Sequence, residues 1–354
     1  MSLEKRAGFT FIEVIVTVAI ISLITTLALI SYSNVRIKSR DAARVSSINQ
    51  LMTALQLYKY DTKSYPTAVV AGQPLRAGQI TYIGTIPTNP QPRTDGGCAD
   101  RDFHYAATND GYMITMCLAE DTGSLKKGVN ICTNGQCQPL ADYRAHDEEG
   151  NAYGAIQVGS QIWLSQNLHA KTNPDGSCIN GEQPPCAAGT METEKPYMCA
   201  VDPEECETTG GYYTWNAVMN GSTAEGARGI CPQGWHVPSD GDWHQLESFL
   251  ADNGASCDGE RDGGDCVSAG LKLGPNGISG FNFPLAGIVQ GLRIHESQYF
   301  RNGYAWASTE FSSEDAYFRG IARRLQNPDP EVDNPVARSH WLKEDNMSLR
   351  CILD

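Results

Sequence analysis

Lys5-Arg6-Ala7-Gly8-Phe9-Thr10-Phe11-Ile12-Glu13, running on as VIVTVAIISLITTLALIS over 14–31, is the stretch on which the reading of this chain turns. From Phe9 to Ile30 it carries one charge, Glu13. That is long enough to cross a bilayer, which takes roughly 20 apolar residues. A carboxylate inside such a span costs about 2.5–3.5 kcal/mol on insertion scales, so a charge kept there calls for a partner. A secretory signal peptide fits poorly. Its apolar core is about 7–15 residues and ends at a small-residue cleavage site, and no Ala-x-Ala follows this run. A plain signal anchor fits the length and leaves Glu13 unexplained.

The helical pattern continues past the apolar run. Val45, Ile48, Met52 and Leu55 recur at helical spacing with Leu51 and Tyr58 beside them, while Arg40, Asp41, Arg44 and Gln50 fall on other faces. One helix from 9 to 60 is predicted, roughly 75–80 Å long at 1.5 Å per residue. Its first half (9–30) is apolar all round and belongs in lipid or in a protein core; its second half is amphipathic and packs one face on a globular head. Pro66 disfavours helix at Tyr65 and closes the element. Neither Gly nor Pro occurs between Phe9 and Ser33, and Ser22, Thr25 and Thr26 are weak substitutes where a helix is to loosen.

A short basic leader ending in Gly8, then Phe9, then Glu13 four residues on, resembles the start of a type IV pilin or pseudopilin precursor. The resemblance implies that a prepilin peptidase removes the leader 1–8 and methylates Phe9. It also implies that Glu13 meets the Phe9 amine of a neighbouring subunit during assembly. The physics agrees: cleavage creates a cation, places Glu13 in the first helical turn where the dipole favours negative charge, and offers a pairing that offsets desolvation. The implied location is the bacterial inner membrane as precursor and the cell surface afterwards. The implied partners are identical or related pilin subunits, the peptidase and an inner-membrane assembly platform. A pseudopilin of a secretion or DNA-uptake machine is the alternative, and a membrane-anchored protein that never polymerises is a third.

The 35 Gly and 18 Pro point to a turn-rich, β-containing body. A net charge of −14 leaves no broad positive field for nucleic acid, so no direct nucleic-acid partner is expected. All twelve cysteines lie between Cys98 and Cys351. The even count and close spacing read as disulfides formed outside the cytoplasm. Zinc is the rival reading, but no C-x-x-C occurs and no His stands at ligand spacing from a cysteine pair. Arg36, Lys38, Arg40 and Arg44 follow the apolar run while only Lys5 and Arg6 precede it. That bias alone would place the C-terminal side in the cytoplasm; the cysteines argue the opposite and outweigh it. Interleaved with Asp41, these cations are expected to serve contacts between subunits.

Residues 61–140 read as a small head. Phe103–Ala107 and Tyr112–Cys117 flank Thr108-Asn109-Asp110-Gly111, a hairpin signal. Cys132 and Cys137 bracket an Asn-Gly turn, leaving Cys98 with Cys117 as the local remainder. Residues 141–146 read as a linker, and from Asp147 the character changes.

GNAYGAIQVGSQIWLSQNL (150–168), YYTWNAVM (212–219), CPQGWHVPSDGDWHQLESFL (231–250), FPLAGI (283–288), WASTE (306–310) and SLRCILD (348–354) follow in an order that resembles the Fibrobacter succinogenes major paralogous domain. That family is related in fold to C-type lectins and formylglycine-generating enzymes, so a disulfide-rich, C-type-lectin-like α+β domain is expected over 147–354. The whole chain is then α+β: a long helix, a small β head and this domain. Ser239 or Asp240 caps a helix whose Trp243, Leu246, Phe249 and Leu250 form its apolar face. Cys231 with Cys351 is the natural long-range pair; Cys178–Cys186, Cys199–Cys206 and Cys257–Cys266 would staple loops.

Asp329, Glu331 and Asp333 sit in an acidic, Pro-rich stretch that could offer oxygens to calcium. No lectin Trp-Asn-Asp signature or EF-hand spacing accompanies them, and a solvated loop is the preferred reading, as for Asp258, Asp262 and Asp265. No other cofactor is expected. Trp235, Trp243 and Trp306 suit a core better than a sugar-stacking surface. His236 and His244 lie near no nucleophile–base arrangement, so catalysis is not expected. Surface adhesion to a host-cell or glycan ligand is the expected use of the C-terminal domain.

Overall fold

The computed structural model describes residues 10–108, 111–188, 195–199, 205–252, 256–290, 293–294, 302–322 and 335–353. The chain divides into two compact units, 1–104 with 114–138, and 105–113 with 139–354. Together they form a mixed α+β protein.

The first unit is built on one unbroken helix, α1 (Phe11–Thr62). Thr10 caps it in an extended conformation, and Lys63, left-handed at φ 67°, ends it by donating its N–H to the Lys59 carbonyl. In the second half of α1, Asp41, Arg44, Ile48, Leu51, Met52, Ala54 and Leu55 are buried. Val45, expected on this face, is only half-buried, because the charged Asp41–Arg44 turn occupies the place the apolar stripe would have held. The hairpin Leu75–Ala77 with Ile80–Ile83 packs against α1. A four-stranded sheet follows in the order His104–Ala107, Tyr112–Leu118, Gly128–Thr133, Gln136–Pro139. The turn expected between its first two strands is closed by the Thr108 N–H on the Gly111 carbonyl at 3.0 Å.

The second unit holds a five-stranded sheet in the order Trp235–His236, Ile352–Leu353, Gln161–Leu164, Ala152–Val158, Arg144–His146. A four-stranded sheet runs Gly263–Asp265, Val336–Leu342, Asp315–Ala322, Asn302–Glu310. Residues 144–146, read from sequence as linker, are thus an edge strand: Ala145 faces inward, while Arg144 and His146 point out. The helix Asp240–Leu250 starts at Ser239, whose hydroxyl and Asp242 make a reciprocal cap. Asp240 instead reaches Arg319 and Arg338 at 2.6 and 2.9 Å. The core gathers Trp163, Trp243, Phe281 and Phe283. Arg350 is fully buried over the two Phe rings and donates to Asn167 Oδ1 and to the Leu164 and Phe281 carbonyls. Trp235, Trp243 and Trp306 have no exposed surface, which gives them to the core.

The twelve cysteines form six disulfides: Cys98–Cys117, Cys132–Cys137, Cys178–Cys186, Cys199–Cys206, Cys231–Cys351 and Cys257–Cys266. Cys231–Cys351 closes a separation of 120 residues and links the segment ahead of Trp235–His236 to the residue that precedes Ile352–Leu353.

Candidate assembly site

Thr10 and Glu13 begin the site. The Thr10 hydroxyl accepts the Glu13 N–H at 3.3 Å, while Glu13 Oε2 accepts the Thr10 N–H at 2.8 Å and the Thr10 hydroxyl at 2.9 Å. This reciprocal cap satisfies two donors at the helix start. It also turns the carboxylate back toward residue 10, the residue joined directly to Phe9. Gly8 and Phe9 themselves lie outside the described residues.

Beyond the cap the surface of α1 is apolar and exposed. Phe11 is 82% exposed, and Ile12, Val14, Ile15, Val18, Ile21 and Ile24 all stand at about half or more. The hydroxyls do not interrupt this surface. Thr17, Ser22, Thr25 and Thr26 each donate back to the carbonyl three or four residues earlier. With their polar atoms satisfied within the helix, these residues present carbon outward. A contiguous apolar surface of this extent marks a contact with membrane or protein. Among the described residues no helix is long and apolar enough to cross a membrane; the described side chains of the run are those of 10–26 and fall short of the roughly 20 required.

Further along α1 the charges turn inward. Arg44 has no exposed surface and donates to Asp41 Oδ1 at 2.6 Å, Asn89 Oδ1 at 2.9 Å and the Pro92 carbonyl at 3.0 Å. Asp41, also fully buried, accepts the Ala119 and Glu120 N–H groups. Arg40 grips Asp95 with two nitrogens at 2.5 and 2.9 Å, and Arg44 reaches the same carboxylate at 3.3 Å. The Arg40 hydrogen bonds hold the Asp95 carboxyl below the usual aspartate range, against the upward push of burial and with Arg44 adding to the effect. Gly96, at φ +67°, lets this loop approach: a Cβ there would lie 2.4 Å from Ala119 Cα. Arg40 and Arg44 therefore serve contacts within their own unit, not the contacts between subunits expected of them, because two local carboxylates outcompete any external partner. Arg36 and Lys38 remain exposed.

The cap was within reach of sequence reading, since Thr10-x-x-Glu13 is the capping-box spacing. Asn89 and Asp95 were not: they meet Arg44 across a sequence distance of 45 and 51 residues. Of the other acidic candidates, Asp329, Glu331 and Asp333 lie outside the described residues. Asp265 accepts the Ser256 hydroxyl and the Asp258 N–H within its own loop, and Asp262 accepts the hydroxyl of the distant Ser339.

A capped helix with an exposed apolar surface, leading into a disulfide-stapled head, defines a prepilin-type subunit. Residues 4–29 match the prokaryotic N-terminal methylation motif, and residues 156–353 match the Fibrobacter succinogenes major domain. The chain belongs to the Fibrobacter succinogenes major domain family and carries that domain behind a pilin-like precursor segment. It is 31% identical over 124 residues to type II secretion system core protein G of Vibrio cholerae serotype O1, covering 32% of this chain and 80% of that protein. It is 29% identical over 103 residues to the core protein G of Aeromonas hydrophila, covering 28% and 67% respectively. No solved structure matches the chain.

Proposed function

We propose that this chain is a filament subunit that presents its 139–354 unit outside the membrane for surface adhesion. In this reading prepilin peptidase cuts between Gly8 and Phe9 and methylates Phe9. The helix then leaves the membrane at an inner-membrane assembly platform, and its apolar surface is covered by other subunits. Glu13 exchanges its own Thr10 N–H for the Phe9 amine of a neighbour and so sets axial register. The observation that carries the reading is the exposed, internally hydrogen-bonded apolar surface of α1 with one carboxylate at its start. Mass spectrometry of the mature N-terminus tests it: a methylated Phe9 is expected, and an uncut Met1 would overturn it.

The use of the second unit is tested separately. Filaments or purified full-length subunit are applied to glycan arrays and to cells; binding that an antibody against residues 147–354 blocks is expected, and absence of binding to any surface removes adhesion from the proposal. A second reading, a short pseudopilus of a secretion apparatus, is favoured by the likeness to the core G proteins. Electron microscopy separates the two, since long antibody-labelled surface filaments belong only to the first.

A further inference from the structure

His244 and Glu247 stand one turn apart on the helix Asp240–Leu250, and the loop after it returns Cys257 and Cys266 to the same place. One ligand atom from each of the four lies within 4.8 Å of all the others. The two sulfurs form a disulfide. His244 Nδ1 is buried without a hydrogen-bond partner, an unfavourable arrangement for a polar group. Ser248 Oγ lies 3.4 Å from His244 Nε2 and 3.3 Å from Cys257 Sγ. Glu247 is committed elsewhere, to Arg319 and Arg261, both at 2.5 Å.

We propose that Cys257, Cys266 and His244 form a two-state site: a disulfide when oxidised, and a zinc-type divalent-cation site when reduced. Two thiolates and an imidazole are a ligand set suited to zinc. Ligand separations under 4.8 Å need only a small closure to reach metal–ligand distances of about 2.0–2.3 Å. The charge also balances. Two thiolates neutralise a divalent cation, so the bound site adds no net charge beside the buried Glu247 and its two arginines. Reduction breaks the S–S bond with two electrons and two protons from an external dithiol, which closes to its own disulfide. Metal binding then displaces both thiol protons. Oxidation reverses this, expels the ion and re-forms the disulfide, the state in which the pair stands here. No spacing in the sequence gives this site away, because His244 is brought to the cysteines by the packing of the helix against the loop.

The test uses the detergent-solubilised full chain, treated with a phosphine reductant and titrated with cobalt(II). Reduced cysteines are mapped by alkylation and mass spectrometry. One equivalent of tetrahedral cobalt with thiolate charge-transfer bands is expected only after Cys257 and Cys266 are reduced. The paired variant Cys257→Ser/Cys266→Ser, reduced in the same way, should lose those bands. His244→Gln should weaken binding by at least the roughly 10- to 100-fold that follows loss of a metal's supporting groups. Bands that survive in the paired variant would overturn the proposal, as would unchanged affinity in His244→Gln. So would reduction of the pair with no cobalt bound, or reduction reached only with loss of the near-ultraviolet circular dichroism.

Discussion

Glu13 and Asp41 are two carboxylates on one helix with opposite fates. Glu13 is exposed and holds only its own helix start, so it is free to be traded for an intermolecular partner. Glu13→Ala is expected to leave leader cleavage intact and to abolish or shorten filaments, read by mass spectrometry and electron microscopy. Asp41 is fully buried and holds Arg44 and two backbone donors. Asp41→Ala leaves the buried Arg44 guanidinium with Asp95 and Asn89 but takes the acceptor from the Ala119 and Glu120 N–H groups, and should destabilise the first unit by about 1–3 kcal/mol, read as faster hydrogen exchange in the strand Tyr112–Leu118. Asp95 supplies the pH dependence. Its folded carboxyl sits below the usual range, so its contribution is complete above the unfolded value of about 3.9. The contribution is lost as pH falls through the lower folded value. Protection in the first unit should therefore drop below about pH 4, and Asp95→Asn should flatten that drop. The Gly8–Phe9–Glu13 pattern was legible because it is local. Asp95 and Asn89 were not, because nothing in a loop's composition announces an arginine some fifty residues away.

At the scale of elements, α1 could be read from an uninterrupted apolar run in its first half and from helical periodicity in its second. The absence of Gly and Pro agrees with an unbroken helix. The strand Arg144–His146 escaped because three residues are too few for alternation to stand out, although Tyr143 and Ala145 are both buried. The cysteines offer a graded prediction. In the chain-entropy description, a crosslink closing 120 residues constrains the unfolded chain by about 4–5 kcal/mol, against about 2–3 kcal/mol for one closing eight. Cys231→Ala/Cys351→Ala should therefore lower the urea midpoint of the second unit well beyond Cys178→Ala/Cys186→Ala. Equal shifts would contradict that ranking.

At the scale of the whole chain, the boundary between units is not a single point. Residues 105–113 belong with 139–354, while 114–138 return to the first unit. A reading that follows the chain in order gives each unit one continuous segment, whereas residues that share a unit here are not continuous in sequence. The chain therefore passes between its two units three times, at 104/105, 113/114 and 138/139. Cys98–Cys117 ties the segment ahead of the strand His104–Ala107 to the strand Tyr112–Leu118, and Cys132–Cys137 lies just ahead of the last passage. The result is mechanical. The first two passages, 104/105 and 113/114, both lie inside the covalent ring that Cys98–Cys117 closes. Tension applied at the two ends of the chain therefore runs through that S–S bond and spares the backbone of 99–116.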